Sequence, residues 1–223
     1  MGHKIIWLLA CVALVFALLF GAYFAIIEFG GEQAQAWLYN IWIYTQNLLT
    51  ENGPLLFLAI AILPGFILPV APLLGFAGLW GGVHGPWLSC IYCSMALFVN
   101  LCWTYWFAHG PARGVLIKLL SRTRFQLPEG TPKNMLEWAL ILRLTPGVPF
   151  IFTNYTLGLL GMSFTQYISV SLPILAFTAS GYVLAFAGIF GGEWKYLWTG
   201  ACIIAVTILL GRFAIKRKHR HAN

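Results

Sequence analysis

Long apolar runs, parted by short connections that collect nearly all the charge, constrain this chain more than any other feature. The runs are 5–27, 54–82, 87–108, 136–161, 164–190 and 196–213. As a helix, Ile5 to Ile27 extends roughly 34 Å, enough to cross a hydrocarbon core of about 30 Å. Of 223 residues, 60% are hydrophobic and only 9% are charged. A soluble domain carries about a quarter charged residues and could not cover its surface with so few. The solvent for most of this chain is lipid, and 1–223 reads as one integral, all-α membrane domain.

Two of the runs are not ordinary spans. The stretch 54–82 holds Pro54, Pro64, Gly65, Pro69, Pro72, Gly75, Gly78, Gly81 and Gly82, and 136–161 holds Pro146, Gly147, Pro149, Gly158 and Gly161. Each interior proline removes a helix hydrogen bond and clashes with the preceding turn. Broken backbone at membrane depth is tolerated only against protein or a wet cavity. Both runs therefore read as re-entrant hairpins, with Pro69, Pro72, Gly78, Pro146, Gly147, Pro149 and Gly158 as their structural residues. Pro69-Val-Ala-Pro72 and Pro146-Gly-Val-Pro149 share a P-x-x-P spacing, each followed by glycines and a full span.

The polar segments set orientation. Residues 33–50 read as an interfacial helix, with Ala34, Leu38, Ile41, Thr45 and Leu48 on one stripe and Trp37, Tyr39, Trp42 and Tyr44 suited to the headgroup level. The connection 109–134 carries Arg113, Lys118, Arg122, Arg124 and Lys133 against Glu129, and predicts a basic amphipathic helix over 113–124. A basic tail, 214–223, closes the chain. Lysine and arginine mark the cytoplasmic side. Four spans (5–27, 87–108, 164–190, 196–213) and two hairpins from opposite faces keep both basic segments and both termini cytoplasmic. Reading the broken runs as full spans would put 109–134 outside. Hairpins entering from opposite faces make an inverted repeat, an architecture whose binding site lies where the repeats meet.

The chemistry concentrates at Arg143, set in Trp138-Ala-Leu-Ile-Leu-Arg-Leu-Thr-Pro146 with no carboxylate nearer than Glu137. A charge at membrane depth needs a partner or a wet cavity. Guanidinium suits phosphate because its planar fork donates two hydrogen bonds at once. Glu51 is the acidic candidate, as a partner of Arg143 or a titrating group. Asn154 and Tyr155 add polar contacts, and Gly158 allows close helix approach. The chain has no aspartate, so a Ser/His/Asp site is excluded. His84 and His109 have no surrounding acid–base pattern, and no phosphate-binding G-x-x-x-x-G-K-[ST] occurs. Cys90-x-x-Cys93 has neither a second cysteine pair nor a histidine pattern to complete a metal site, and reads as helix packing. The expectation is therefore a non-enzyme without cofactor or metal.

Arg143-Leu-Thr-Pro146-Gly-Val-Pro149-Phe-Ile-Phe-Thr-Asn154-Tyr155-Thr-Leu-Gly158 resembles the signature of the DedA superfamily, whose shared core is the VTT or SNARE-associated domain. Pro69-Val-Ala-Pro72-Leu-Leu-Gly-Phe-Ala-Gly78-Leu-Trp-Gly81 resembles its first hairpin, and the likeness covers roughly 51–190. Ala71 and Pro149 depart from the bacterial DedA branch, which has an acidic residue and a second arginine there; the chain is nearer the VTT branch. The resemblance implies movement of phospholipids or polyprenyl phosphates between leaflets. A proton- or ion-coupled transporter of small solutes and a non-transporting membrane-organising factor stay open. The expected partners are phosphate-bearing membrane lipids and not nucleic acid, and a homo-oligomer is compatible. The short loops lean towards a bacterial inner membrane.

Overall fold

The structure is a computed structural model that describes residues 31–66, 69–110, 112–121, 134–145 and 148–221. The expected span 5–27, residues 122–124 of the basic helix, and Pro146 and Gly147 lie outside the described residues. The chain forms two units, 1–48 and 49–223. All regular structure among the described residues is helical. The protein is an all-α, multi-pass membrane protein.

Helix α1, Gly31–Glu51, covers the expected interfacial segment. Ala34, Leu38 and Thr45 of the apolar stripe are partly covered, while Ile41 and Leu48 of the same stripe are exposed, as are Trp37, Tyr39 and Tyr44.

The first broken run becomes α2, Gly53–Ile62, a 3-10 turn at Leu63–Gly65, and α3, Val70–His84. Pro54 starts α2, where a missing N–H costs nothing. Gly53 at the start of α2 lies against the Trp80 ring near the end of α3, and Phe57 meets Trp80 edge-on at 5.1 Å. The two helices therefore fold back on each other. Pro72 lies in the first turn of α3 rather than breaking a helix, because the first-turn N–H groups have no intrahelical acceptor anyway. The break is made by Pro69 as N-cap.

Helix α4, Pro86–His109, follows, then the short α5, Arg113–Ser121. The second broken run becomes α6, Met135–Leu144, and α7, Phe150–Leu159. Asn134 caps α6 by accepting from the Glu137 N–H, and Ser163 caps the next helix by accepting from Gln166. Helix α8 runs Phe164–Gly191 and α9 Trp194–His221. The expected basic tail thus continues α9 as helix through 221. Helices α4 and α8, and Trp194–Phe213 of α9, are long and apolar enough to cross a membrane. Arms α2, α6 and α7 have ten residues each, about 15 Å, and α3 has fifteen, about 22 Å. None of these four spans about 30 Å alone.

The second arms pack crosswise. Arm α3 belongs to the first broken run but seats on α8, which follows the second. A Cβ added at Gly78 would stand 2.8 Å from the Val183 carbonyl oxygen. Arm α7 belongs to the second broken run but seats on α4, which follows the first. A Cβ at Gly158 would stand 2.8 Å from the Ala108 methyl. Both glycines lie nine residues after a proline N-cap in nearly the same conformation: Pro69 at φ −65°, ψ 137° and Pro149 at φ −60°, ψ 139°. The register pairs Pro69 with Pro149, three residues away from the alignment the P-x-x-P spacing suggests.

Candidate functional site

The breaks free backbone carbonyls, and the site is built on them. Gly65 would bond to the N–H four residues on, but that residue is Pro69 and has none. The Tyr155 hydroxyl of α7 donates to the Gly65 carbonyl instead, at 2.5 Å. Helix α2 gives way to 3-10 geometry at Leu63, leaving the Ala61 carbonyl open to side chains. Asn100 Nδ2 and Trp103 Nε1, both from α4, donate to it at 2.8 Å each.

A polar path leads from there into the second broken run. Asn100 Oδ1 accepts from Asn154 Nδ2 at 3.0 Å, and Asn154 Oδ1 accepts from Arg143 Nη1 at 2.6 Å. Arg143 Nη1 also donates to Thr153 Oγ1 at 2.8 Å, and its Nε to Ser171 Oγ of α8 at 3.1 Å. The guanidinium carbon lies 5.6 Å from the Tyr167 ring centre and 5.9 Å from that of Phe150. Asn100, Asn154 and Ser171 are fully buried. Buried amides are tolerated when both their donor and acceptor are used, as they are here. The path runs about nine residues, roughly 14 Å, from the His109 end of α4.

All the hydrogen-bond partners of Arg143 are neutral oxygens, so they orient the guanidinium without cancelling its charge. Among the described residues no carboxylate pairs with it; the ion pair present is Lys195–Glu193. Glu51 ends α1, exposed, and makes no ion pair with Arg143. Glu137 is likewise exposed, engaged with Asn134 at the helix start. Arg143 Nη2 is buried and has no hydrogen-bond partner. A buried cation without a counter-ion is costly and is stabilised by any anion that reaches it.

Of the residues singled out from sequence, Arg143, Asn154 and Tyr155 come together, and Gly158 seats α7, the helix of the last two. Asn100, Thr104, Ser171 and Tyr167 belong to the same cluster and were not singled out. One signal was available: Asn100 is the only Asn or Gln between Trp87 and Ala108, and an amide in an apolar span needs a partner. Cys90 and Cys93 are free thiols buried in the helical core.

Two open apolar grooves flank α4 on either side of Met95. One, about 660 Å³, lies towards α8 between Trp87 and Leu172; the other, about 560 Å³, lies towards α2 between Tyr92 and Ala61.

Residues 68–190, more than half of the chain, match the family described as the VTT domain. The protein belongs to this family. No curated protein and no solved structure matches the chain. The VTT match includes α3, α4 and every residue of the Arg143 cluster, and leaves out arm α2 with the Ala61 and Gly65 carbonyls. Membership is consistent with a membrane-transport role.

Proposed function

We propose that this VTT-domain protein is a transporter rather than an enzyme, and that it moves phosphate-bearing lipids between leaflets as a scramblase or flippase. One observation carries the reading. Arg143 makes three hydrogen bonds, all to uncharged groups, and keeps Nη2 buried and unpartnered. A lipid phosphate supplies both the missing acceptor and the missing negative charge. The apolar grooves beside α4 give acyl chains a surface to follow, and the short arms fit re-entrant hairpins of an inverted repeat entering from opposite faces. In that arrangement the basic end of α9 lies on the cytoplasmic side.

The test is lipid exchange by purified protein in liposomes, read with a labelled phospholipid and a membrane-impermeant quencher. Wild-type protein is expected to accelerate exchange, and Arg143→Ala to reduce the rate at least about tenfold, the worth of one charge-assisted hydrogen bond. Arg143→Lys keeps the charge, loses the fork and falls between. Unchanged exchange in Arg143→Ala rules out the phosphate role. No exchange by wild-type protein favours a membrane-organising factor.

A further inference from the structure

We infer that Tyr167 is the second ligand of the anion that Arg143 attracts, so that the site is a two-donor clamp for a phosphate oxygen. The inference rests on the reading of Arg143 as an anion-binding group and adds a residue to it.

Four buried side-chain polar atoms among the described residues lack a hydrogen-bond partner: His109 Nδ1, Arg143 Nη2, Thr156 Oγ1 and the Tyr167 hydroxyl. Two of the four belong to side chains in contact. The Arg143 guanidinium carbon lies 5.6 Å from the Tyr167 ring centre, and the Tyr167 hydroxyl lies near Arg143 and Thr104 without a hydrogen bond to either. Tyr167 is fully buried, one turn into α8, between Arg143 and the inner face of α4. Its ring fills the core as a phenylalanine would. Its hydroxyl adds only a buried polar atom, which is unfavourable unless something accepts its proton.

The neighbouring groups leave that acceptor open. Thr104 Oγ1 donates to the Asn100 carbonyl at 2.7 Å, lies 3.4 Å from Asn154 Nδ2 and makes no hydrogen bond with the Tyr167 hydroxyl. Thr153, Asn154 and Ser171 are committed to Nη1 and Nε on the other edges of the guanidinium. What remains is one charged N–H and one neutral O–H, side by side, with no acceptor between them. An oxyanion oxygen satisfies both and offsets the charge; a hydroxyl or ester headgroup without phosphate would satisfy the donors and leave the charge uncompensated. A lipid phosphate and free inorganic phosphate share that chemistry.

Purified full-length protein in detergent, wild-type and Tyr167→Phe, is titrated with phosphatidic acid, with diacylglycerol and with inorganic phosphate, and its unfolding temperature is followed. Ligand that binds only the folded protein raises that temperature. Wild-type protein is expected to respond to phosphatidic acid and not to diacylglycerol, which differs from it only by the phosphate. A response to phosphatidic acid alone assigns a lipid headgroup, and a response to inorganic phosphate as well assigns the free anion. Tyr167→Phe is expected to weaken binding about tenfold, while the empty variant unfolds at the wild-type temperature or above, since a lone buried hydroxyl has been removed. A hydroxyl with a merely structural role would do the reverse, lowering the stability of the empty protein and sparing affinity. That result overturns the assignment, as does a wild-type protein that responds to neither phosphate ligand. Lipid exchange measured on the same two proteins separates the two readings. Phosphate binding that depends on Tyr167 without exchange removes transport and leaves the clamp. Exchange with wild-type affinity in Tyr167→Phe removes the clamp and leaves transport.

Discussion

The two broken runs share a frame and differ in what they offer across it. Each has a short arm, a proline N-cap, a second arm and a glycine nine residues past the cap, seated on the span that follows the other run. Between Pro54 and Gly82 there is no charged residue, and the first run meets the cluster only with the carbonyls of Ala61 and Gly65. The second run meets it with side-chain donors: Arg143, Asn154 and Tyr155. One half is an acceptor made by helix breaks and the other a set of donors placed opposite. The lesson is that prolines in such a run act on function through the carbonyls they orphan as much as through the bend they impose.

The seats of the two glycines give the largest expected effect. A Cβ at Gly78 meets backbone, the Val183 carbonyl oxygen at 2.8 Å and the Ala187 nitrogen at 3.0 Å, which cannot yield without parting α3 from α8. At Gly158 the nearest atom is a side-chain methyl, that of Ala108 at 2.8 Å, with the Tyr105 carbonyl oxygen more distant at 3.7 Å. Gly78→Ala should cost about 3 kcal/mol by overpacking and Gly158→Ala about 1 kcal/mol. Ala108→Gly should restore the second and have no counterpart for the first. Denaturant unfolding of the purified variants in detergent measures both. Equal costs would mean that the arms are not seated as a crossed pair of unequal tightness.

Asn100 is where the two halves join, and replacing it tests whether the join matters. Asn100→Leu keeps the volume, leaves the Ala61 carbonyl with Trp103 and leaves Asn154 Nδ2 with the 3.4 Å contact to Thr104. A loss of about 2 kcal/mol is expected, the cost of leaving a buried amide with one long contact in place of a 3.0 Å hydrogen bond. Asn154→Leu alone should cost a similar amount, and the double variant should cost at least about 1 kcal/mol less than their sum, because removing both partners strands nothing between them. Strict additivity would show that the path from Ala61 to Arg143 is a row of neighbours without coupling.

Much of this arrangement was legible in the residues, and what was not has a physical reason. The breaks were visible because proline and glycine act locally, and Arg143 because a charge in an apolar run has few explanations. The spans 87–108 and 164–190 read within a residue of α4 and α8, since length and apolar content define them. Register was harder: P-x-x-P looks like a repeat, yet the proline N-caps among the described residues of these runs are Pro69 and Pro149, and Pro72 fits harmlessly in a first turn. Tyr167 and Ser171 were hidden for another reason. On the sequence they are ordinary polar residues near a helix start, and only the packing of α6 and α7 against α8 brings them to the guanidinium. Nothing local distinguishes Glu51, which stays exposed, from an acid that would pair with Arg143.

The smallest effect is also the sharpest test of how proline works here. Tyr155→Phe deletes one hydroxyl whose bond goes to Gly65, a carbonyl that lacks an acceptor role within its own helix because Pro69 follows four residues later. The loss should be about 1 kcal/mol, chiefly from leaving that carbonyl buried and unpaired. Pro69→Ala returns an N–H at the position a helix would use, so the Gly65 carbonyl can find a backbone partner when the hydroxyl is gone. In the Pro69→Ala background, Tyr155→Phe should therefore cost only a few tenths of a kcal/mol, within the scatter of a neutral substitution. If Tyr155→Phe costs the same in both backgrounds, the proline is only a bend, and the acceptor half of the site does not arise from the missing N–H.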